Sequence, residues 1–308
     1  MIDPRLLVLR TFARCGTVAA TAELTGYSPS AVSAQLREYQ RAVGMRLLAK
    51  DGRGLRLTAT GRYLVDRTDQ LVTEWERIRS AALTAGDQTP KTFGIGGFST
   101  AASNLLAPLA GHLRDSMPNV DVHVVEATPA RCFDLLIAER IDLAVVIAMQ
   151  ADVQVDDDPR FEQIALLDDP LDVMVAADHP IAQRESVTLQ ELAREAWIAD
   201  APGSSYRALF TAAFTAAGIT PKITHEIAEW ETGMALVEVG VGIGLVPRLA
   251  SFETTRDVVR VRISGEHSPT RKIVAVMRAG SLESPLIHQS LDHLRQTARN
   301  ILGTRRQA

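Results

Sequence analysis

Between residues 28 and 44 the sequence reads "SPSAVSAQLREYQRAVG". Ser28 is a good helix cap, Pro29 suits the first helical position, and Gly44 ends the segment. Val32, Leu36 and Val43 share one face, and Ser30, Ser33, Gln35 and Arg37 lie opposite. Such a face can do recognition chemistry in a major groove. Serine hydroxyls reach phosphates or base edges, a glutamine amide meets adenine through two hydrogen bonds, and arginine grips phosphate. A second set of hydroxyls follows expected strands at the starts of expected helices: Ser99 and Thr100, Thr128, and Ser204 with Ser205. A helix start offers unpaired N–H groups and a partial positive charge. Three such starts around one cleft suit a small ligand carrying a carboxylate. Trp230, just after a strand, either lines that cleft or belongs to the core of its lobe.

Catalytic arrangements do not assemble. "GIGGFS" lacks the third glycine of a dinucleotide fingerprint. "HEIAEW" has no second histidine for zinc. "DDDP" at 156–159 reads as an acidic surface loop. No nucleophile, base and orienter emerge from the spacing, so no enzyme, cofactor or metal is expected.

These residues need elements to hold them. A first helix spans 5–14, with Leu6, Leu9, Phe12 and Ala13 on one face, and "TVAATAELTG" forms a second. Ala22, Gly26 and Val32 are the small, turn and branched residues that closely crossed helices require. "LLAKDGRGLRLTATG" then reads as strand, turn and strand, with Lys50, Arg53 and Arg56 placed to hold DNA backbone. From Thr58 to Gly86 the sequence predicts one long helix. Leu64, Thr68, Leu71, Trp75, Ile78, Ala82 and Ala85 form a heptad seam for dimerisation. "AGDQTPK" (85–91) is a linker. Beyond it strands and helices alternate, including a helix at 188–195, separate strands at 164–167 and 171–176, and a tight turn in the Gly240–Gly244 run. The pattern predicts two α/β lobes with mainly parallel sheets.

Charge follows the same division. The chain has 308 residues and a net charge of -4. Residues 1–60 carry nine Lys and Arg against four Asp and Glu, or +5, which leaves -9 for the rest. A basic head on an acidic body suits one small domain that meets phosphates. Two widely spaced cysteines and an N-terminus unlike a signal peptide point to the cytoplasm. No apolar run has the length of a membrane span.

Residues 16–65, "GTVAATAELTGYSPSAVSAQLREYQRAVGMRLLAKDGRGLRLTATGRYLV", resemble the N-terminal winged helix-turn-helix of the LysR-type transcriptional regulators. "IDLAVVI" (141–147) and "VEVGVGIGLVP" (237–247) are similar to recurrent segments of that family's effector domain. The resemblance implies an α/β fold class with a winged helix-turn-helix at 1–57, a dimerising linker helix and hinge at 58–91, and an effector domain at 92–308. That last domain would have two α/β lobes similar to periplasmic binding proteins. The implied partners are double-stranded promoter DNA, a small-molecule effector, and further copies of the chain in a dimer or tetramer. Pro29-Ser30 replaces a frequent Gln-Pro of the family and Ala34 a frequent Arg, while Tyr39-Gln40 replaces Leu-Glu and Leu48 a Phe. An α/β ligand-binding or enzymatic protein whose head serves only oligomerisation is the alternative.

Overall fold

The computed structural model describes residues 2–52, 54–86, 88–148, 158–251, 257–266 and 268–304. They divide between two compact units. The first takes the described residues of Met1–Val146, Ala151–Ala165 and Val274–Arg295, and the second those of Ile147–Gln150, Leu166–Ile273 and Gln296–Ala308.

The first unit begins with three helices, α1 (Pro4–Cys15), α2 (Val18–Thr25) and α3 (Pro29–Ala42). Asp3, Thr17 and Ser28 cap them with side-chain acceptors. Gly26 closes α2 at φ +76°, in the left-handed region that favours glycine, and its N–H reaches the Ala22 carbonyl. Leu9, Phe12, Ala22, Val32, Leu36 and Tyr39 are buried together. A two-stranded antiparallel wing follows, β1 (Leu48–Asp51) and β2 (Gly54–Leu57), in register from Leu48 opposite Leu57 to Asp51 opposite Gly54. Gln40 ties α3 to the wing, because its side-chain oxygen accepts from the N–H groups of Leu47 and Leu48. The Tyr39-Gln40 departure therefore supplies both a core ring and a structural acceptor.

Helix α4 (Ala59–Ala85) starts at the Thr58 cap and runs unbroken, as expected. Its expected seam is not all on one outward face, since Leu64 packs against the core of the head. Leu71 and Ile78 are exposed, as are Ala82 and Ala85. Thr68 instead lies with Val65, Val72, Glu76 and Ser80 on a stripe buried within the unit. Polar residues on that stripe hid it from a purely apolar pattern.

The rest of the unit is a parallel sheet with helices. Strand β3 (Thr92–Gly97) pairs with β4 (Asp121–Glu126) on one side and β5 (Leu143–Ile147) on the other. The chain leaves β3 into one continuous helical stretch: α5 (Ser99–Ala101), a π segment (Ala102–Leu106) and α6 (Ala107–Ser116). Helix α7 (Pro129–Ile137) follows β4 and buries six of its residues. The returning part of β12 (Thr270–Arg278) lies next to β5, and the described α10 (Pro285–Thr304) begins in this unit.

The second unit is a mixed sheet, less parallel than the alternating pattern predicts. Strand β6 (Phe161–Ala176) runs through both expected short strands without a break, although it contains Pro170. The carbonyl of Pro170 still accepts from the Arg248 N–H. β6 lies antiparallel to β10 (Ile243–Pro247) and to β11 (Val258–Ile263). β10 and β9 (Lys222–Ile227) flank β8 (Ala196–Asp200) in parallel, and a short β7 (Ser186–Val187) pairs with β11. Helices α8 (Ser205–Ala216) and α9 (Trp230–Glu238) complete the unit. Trp197 meets Phe210 and Phe214 edge to face in its core, and the three ring centroids lie 4.6–5.5 Å apart. Gly240 turns the chain from α9 toward β10. The helix expected at 188–195 is a run of turns. Thr188 and Glu191 make a reciprocal capping box, but the following bonds reach back only three residues. The backbone bonds stay at three-residue spacing, so no α-helical ladder forms.

Candidate nucleic-acid interface and effector-facing residues

The head presents α3 by the polar face that the sequence predicts. Ser28, Ser30 and Arg37 are exposed, and Ser33 and Gln35 are half-buried along the same helix. Ser28 Oγ accepts from the Ala31 N–H at 3.2 Å and lies 2.9 Å from Ser30 Oγ. Its first task is to start the helix, and its second is to orient Ser30. Arg41 near the end of α3 and Lys50 and Arg56 on the wing are exposed. Among the described residues, none of Arg37, Arg41, Lys50 and Arg56 pairs with a carboxylate. Arg53 lies outside the described residues. Unpaired cations on both sides of a polar helix face are what a phosphate backbone neutralises.

In the first unit, Ser99 and Thr100 are the first two residues of α5. The cap residue, Phe98, provides no side-chain hydrogen bond to the helix. The carbonyls of Ser99 and Thr100 accept from Ser103 Oγ and Asn104 Nδ2. The π segment begins two residues after Thr100, and such segments are frequent at functional sites. Thr128, exposed, caps α7 and accepts from the Arg131 N–H at 3.4 Å.

In the second unit, Ser204 caps α8. It accepts from the Arg207 N–H at 3.0 Å and donates to Asp200 Oδ2 at 3.3 Å. The Arg207 guanidinium binds the Asp200 carbonyl at 2.7 Å. Burial raises the pKa of Asp200, against the opposing pull of Ser204 and Arg207. Ser205 is the first residue of α8. Trp230 opens α9 and lines a cavity of about 20 Å³ with Asp200, Tyr206, Ile227 and Leu245. That volume holds about one water molecule. Asp200, Tyr206 and Arg207 were not singled out from sequence. The alternation "DAPGSSYR" carries charge and hydroxyls, but only the fold turns them onto one helix start.

A winged helix-turn-helix on a long helix, ahead of a two-unit α/β body, defines a DNA-binding regulator. Residues 5–62 match the bacterial regulatory helix-turn-helix protein, lysR family, and residues 86–299 match the LysR substrate binding domain. The chain belongs to the LysR family and is a LysR-type transcriptional regulator, not an enzyme. Among its relatives is the HTH-type transcriptional regulator CatR of Pseudomonas putida, 29% identical, covering 90% of this chain and 92% of its own. A hydrogen peroxide-inducible genes activator of Dickeya chrysanthemi is 26% identical, covering 87% of each. The solved effector binding domain of QuiR in complex with shikimate has a TM-score of 0.56 at 23% identity, covering 69% of this chain and 99% of its own. Among the described residues, no helix is long and apolar enough to cross a membrane.

Proposed function

We propose that residues 1–57 read promoter DNA, that 58–91 pair two copies, and that 92–308 sense a small carboxylate in the cytoplasm. The observation that carries the DNA reading is the outward polar face of α3, flanked by unpaired cations. Ser30, Ser33 and Gln35 contact base edges, while Ser28, Arg37, Arg53 and Arg56 hold the backbone. A mobility-shift assay on the DNA flanking its own gene tests this. Retardation that survives competition by mixed-sequence duplex is expected, and competition that removes it would overturn the reading.

Copies pair through the exposed Leu71 and Ile78 with half-buried Trp75. Leu71→Asp sets a charge on that seam and dissociates the dimer. Sedimentation at unchanged mass would contradict it. Two such dimers associate into the tetramer that presents four heads.

Two relatives suggest different effectors, hydrogen peroxide and shikimate, which is a carboxylate. A thiol that reacts with peroxide needs an accessible thiolate. Here burial pushes the Cys132 thiol up to about 12, and it also raises Cys15. That favours the carboxylate. Ser99, Thr100 and Thr128 of the first unit receive it at helix starts. Ser204 and Trp230 are the candidate effector contacts carried by the second unit, with Ser205, whose side chain lies outside the described residues. A thermal-shift screen of small carboxylates tests this reading, because a ligand of the folded state raises the melting temperature. Stabilisation by uncharged isosteres equal to that by carboxylates would contradict it.

A further inference from the structure

Helix α7 ends against two buried arginines that come from different parts of its unit. Arg10 of α1, 4% exposed, donates to the Ile137 carbonyl at 3.4 Å and to the Asp69 carboxylate of α4. Arg278, 3% exposed, donates to the carbonyls of Leu136 (3.3 Å) and Ile141 (2.7 Å) and to Asp142 Oδ1 (2.7 Å). Its Nε lies 3.6 Å from Glu76 Oε1 of α4, itself buried. The last carbonyls of a helix carry partial negative charge, so both cations are favoured there.

Further pairs join α7 to the head. Arg14 of α1 binds Asp134 at 2.8 Å, and Arg131 binds Glu23 of α2 at 3.1 Å. Alternating the sign of the charge donor between the two sides fixes register as well as attraction. The guanidinium of Arg140 fills the space beside Gly26, where an added Cβ would meet it at 2.5 Å. On the far side, Gly280 lets backbone meet backbone, because a Cβ there would lie 2.5 Å from the Thr73 carbonyl of α4. The surfaces used are α1 and α2. Ser28, Ser30, Arg37 and Arg41 of α3 remain exposed.

We propose that α7 is a seat that fixes the bearing of the DNA-binding head on its own effector lobe. The head is then aimed by the lobe as well as by its junction with α4. The seat belongs to the same helix that Thr128 begins, so an effector at that start acts on the element that holds the head. That last step rests on the effector reading above; the seat itself does not.

Charge exchange tests the seat in the full chain without effector. Arg14→Asp and Asp134→Arg should each speed amide hydrogen exchange in α1 and α7 by about two- to fivefold, the range of an exposed ion pair. The double exchange Arg14→Asp/Asp134→Arg should return both helices toward wild-type rates. Glu23→Arg with Arg131→Glu gives a second, independent cycle on α2. Unchanged exchange at the Val32–Leu36 amides of α3 separates release of the seat from unfolding of the head. Single variants without effect in both cycles, or doubles whose effects add instead of cancelling, would overturn the proposal. Failure of a carboxylate to alter exchange in α7, with both cycles intact, would count against the effector reading alone.

Discussion

Helices α3 and α7 begin alike and end differently. Each opens with a hydroxyl cap followed by proline, Ser28-Pro29 and Thr128-Pro129, and each cap accepts from the N–H three residues on. In α3 only Val32, Leu36 and Tyr39 are buried, and Ser30 and Arg37 are exposed on the face that half-buried Gln35 shares. In α7 six residues of nine are buried, and its charged residues are engaged with α1 and α2. The same start signal thus opens an exposed polar face in one place and a structural junction in the other. What separates them is which polar groups the chain itself satisfies. Those left over are available for another molecule.

The largest effect should come from breaking the paired end of α7. Arg278→Met leaves Glu76 and Asp142 facing a buried apolar side chain. Loss of one partner from a buried pair costs on the order of 3–5 kcal/mol. Denaturant unfolding should show it as a fall in midpoint with little change in slope. A change below about 1 kcal/mol would place the junction among surface pairs of small value.

The two caps sharpen the comparison at smaller scale. Ser28→Ala and Thr128→Val should each cost about 1 kcal/mol of stability as lost caps. Their functional effects should part company. Ser28→Ala weakens DNA binding and spares effector binding, whereas Thr128→Val does the reverse, about tenfold for one lost hydrogen bond to a charged group. Melting temperature, DNA affinity and effector affinity measured on the same samples decide this. Equal losses of both affinities in both variants would erase the distinction.

Smallest at neutral pH is the effect of Cys132 in α7, whose thiol burial raises from 9.0 to about 12. The folded state holds this proton more tightly than the unfolded state. Its contribution is therefore complete below about pH 9 and lost as pH rises toward 12. Wild type should lose stability across that window faster than Cys132→Ala, as unfolding curves at stepped pH would show. Parallel curves would mean that the thiolate is tolerated in the folded core.

The head is legible almost whole from local signals. Ser28-Pro29 marks a helix start, and Ala22, Gly26 and Val32 lie where the crossing needs them. The long helix was legible from its length and lack of breaks, but its buried stripe was not. Glu76 and Ser80 are buried there, and the partner of Glu76, Arg278, lies two hundred residues away in sequence. No local spacing carries such a pairing. Asp200 escaped notice for a related reason, since its meaning comes from Ser204 and Arg207 folding back over it. At 188–195, where a helix is expected, Thr188 and Glu191 close a capping box, yet the backbone bonds that follow keep to three-residue spacing.

The contrast between α3 and α7 is tested most directly by the DNA preference of Gln35→Ala, with Arg56→Ala as control. Affinities for the specific site and for a mixed-sequence duplex are measured by fluorescence anisotropy across a salt series. Gln35→Ala should lose on the order of 1–3 kcal/mol on the specific site and nothing on the mixed duplex. Arg56→Ala should weaken both and lower the salt slope by about one. If Gln35→Ala kept both its affinity and its preference for the specific site, the outward face of α3 would not be the reading surface.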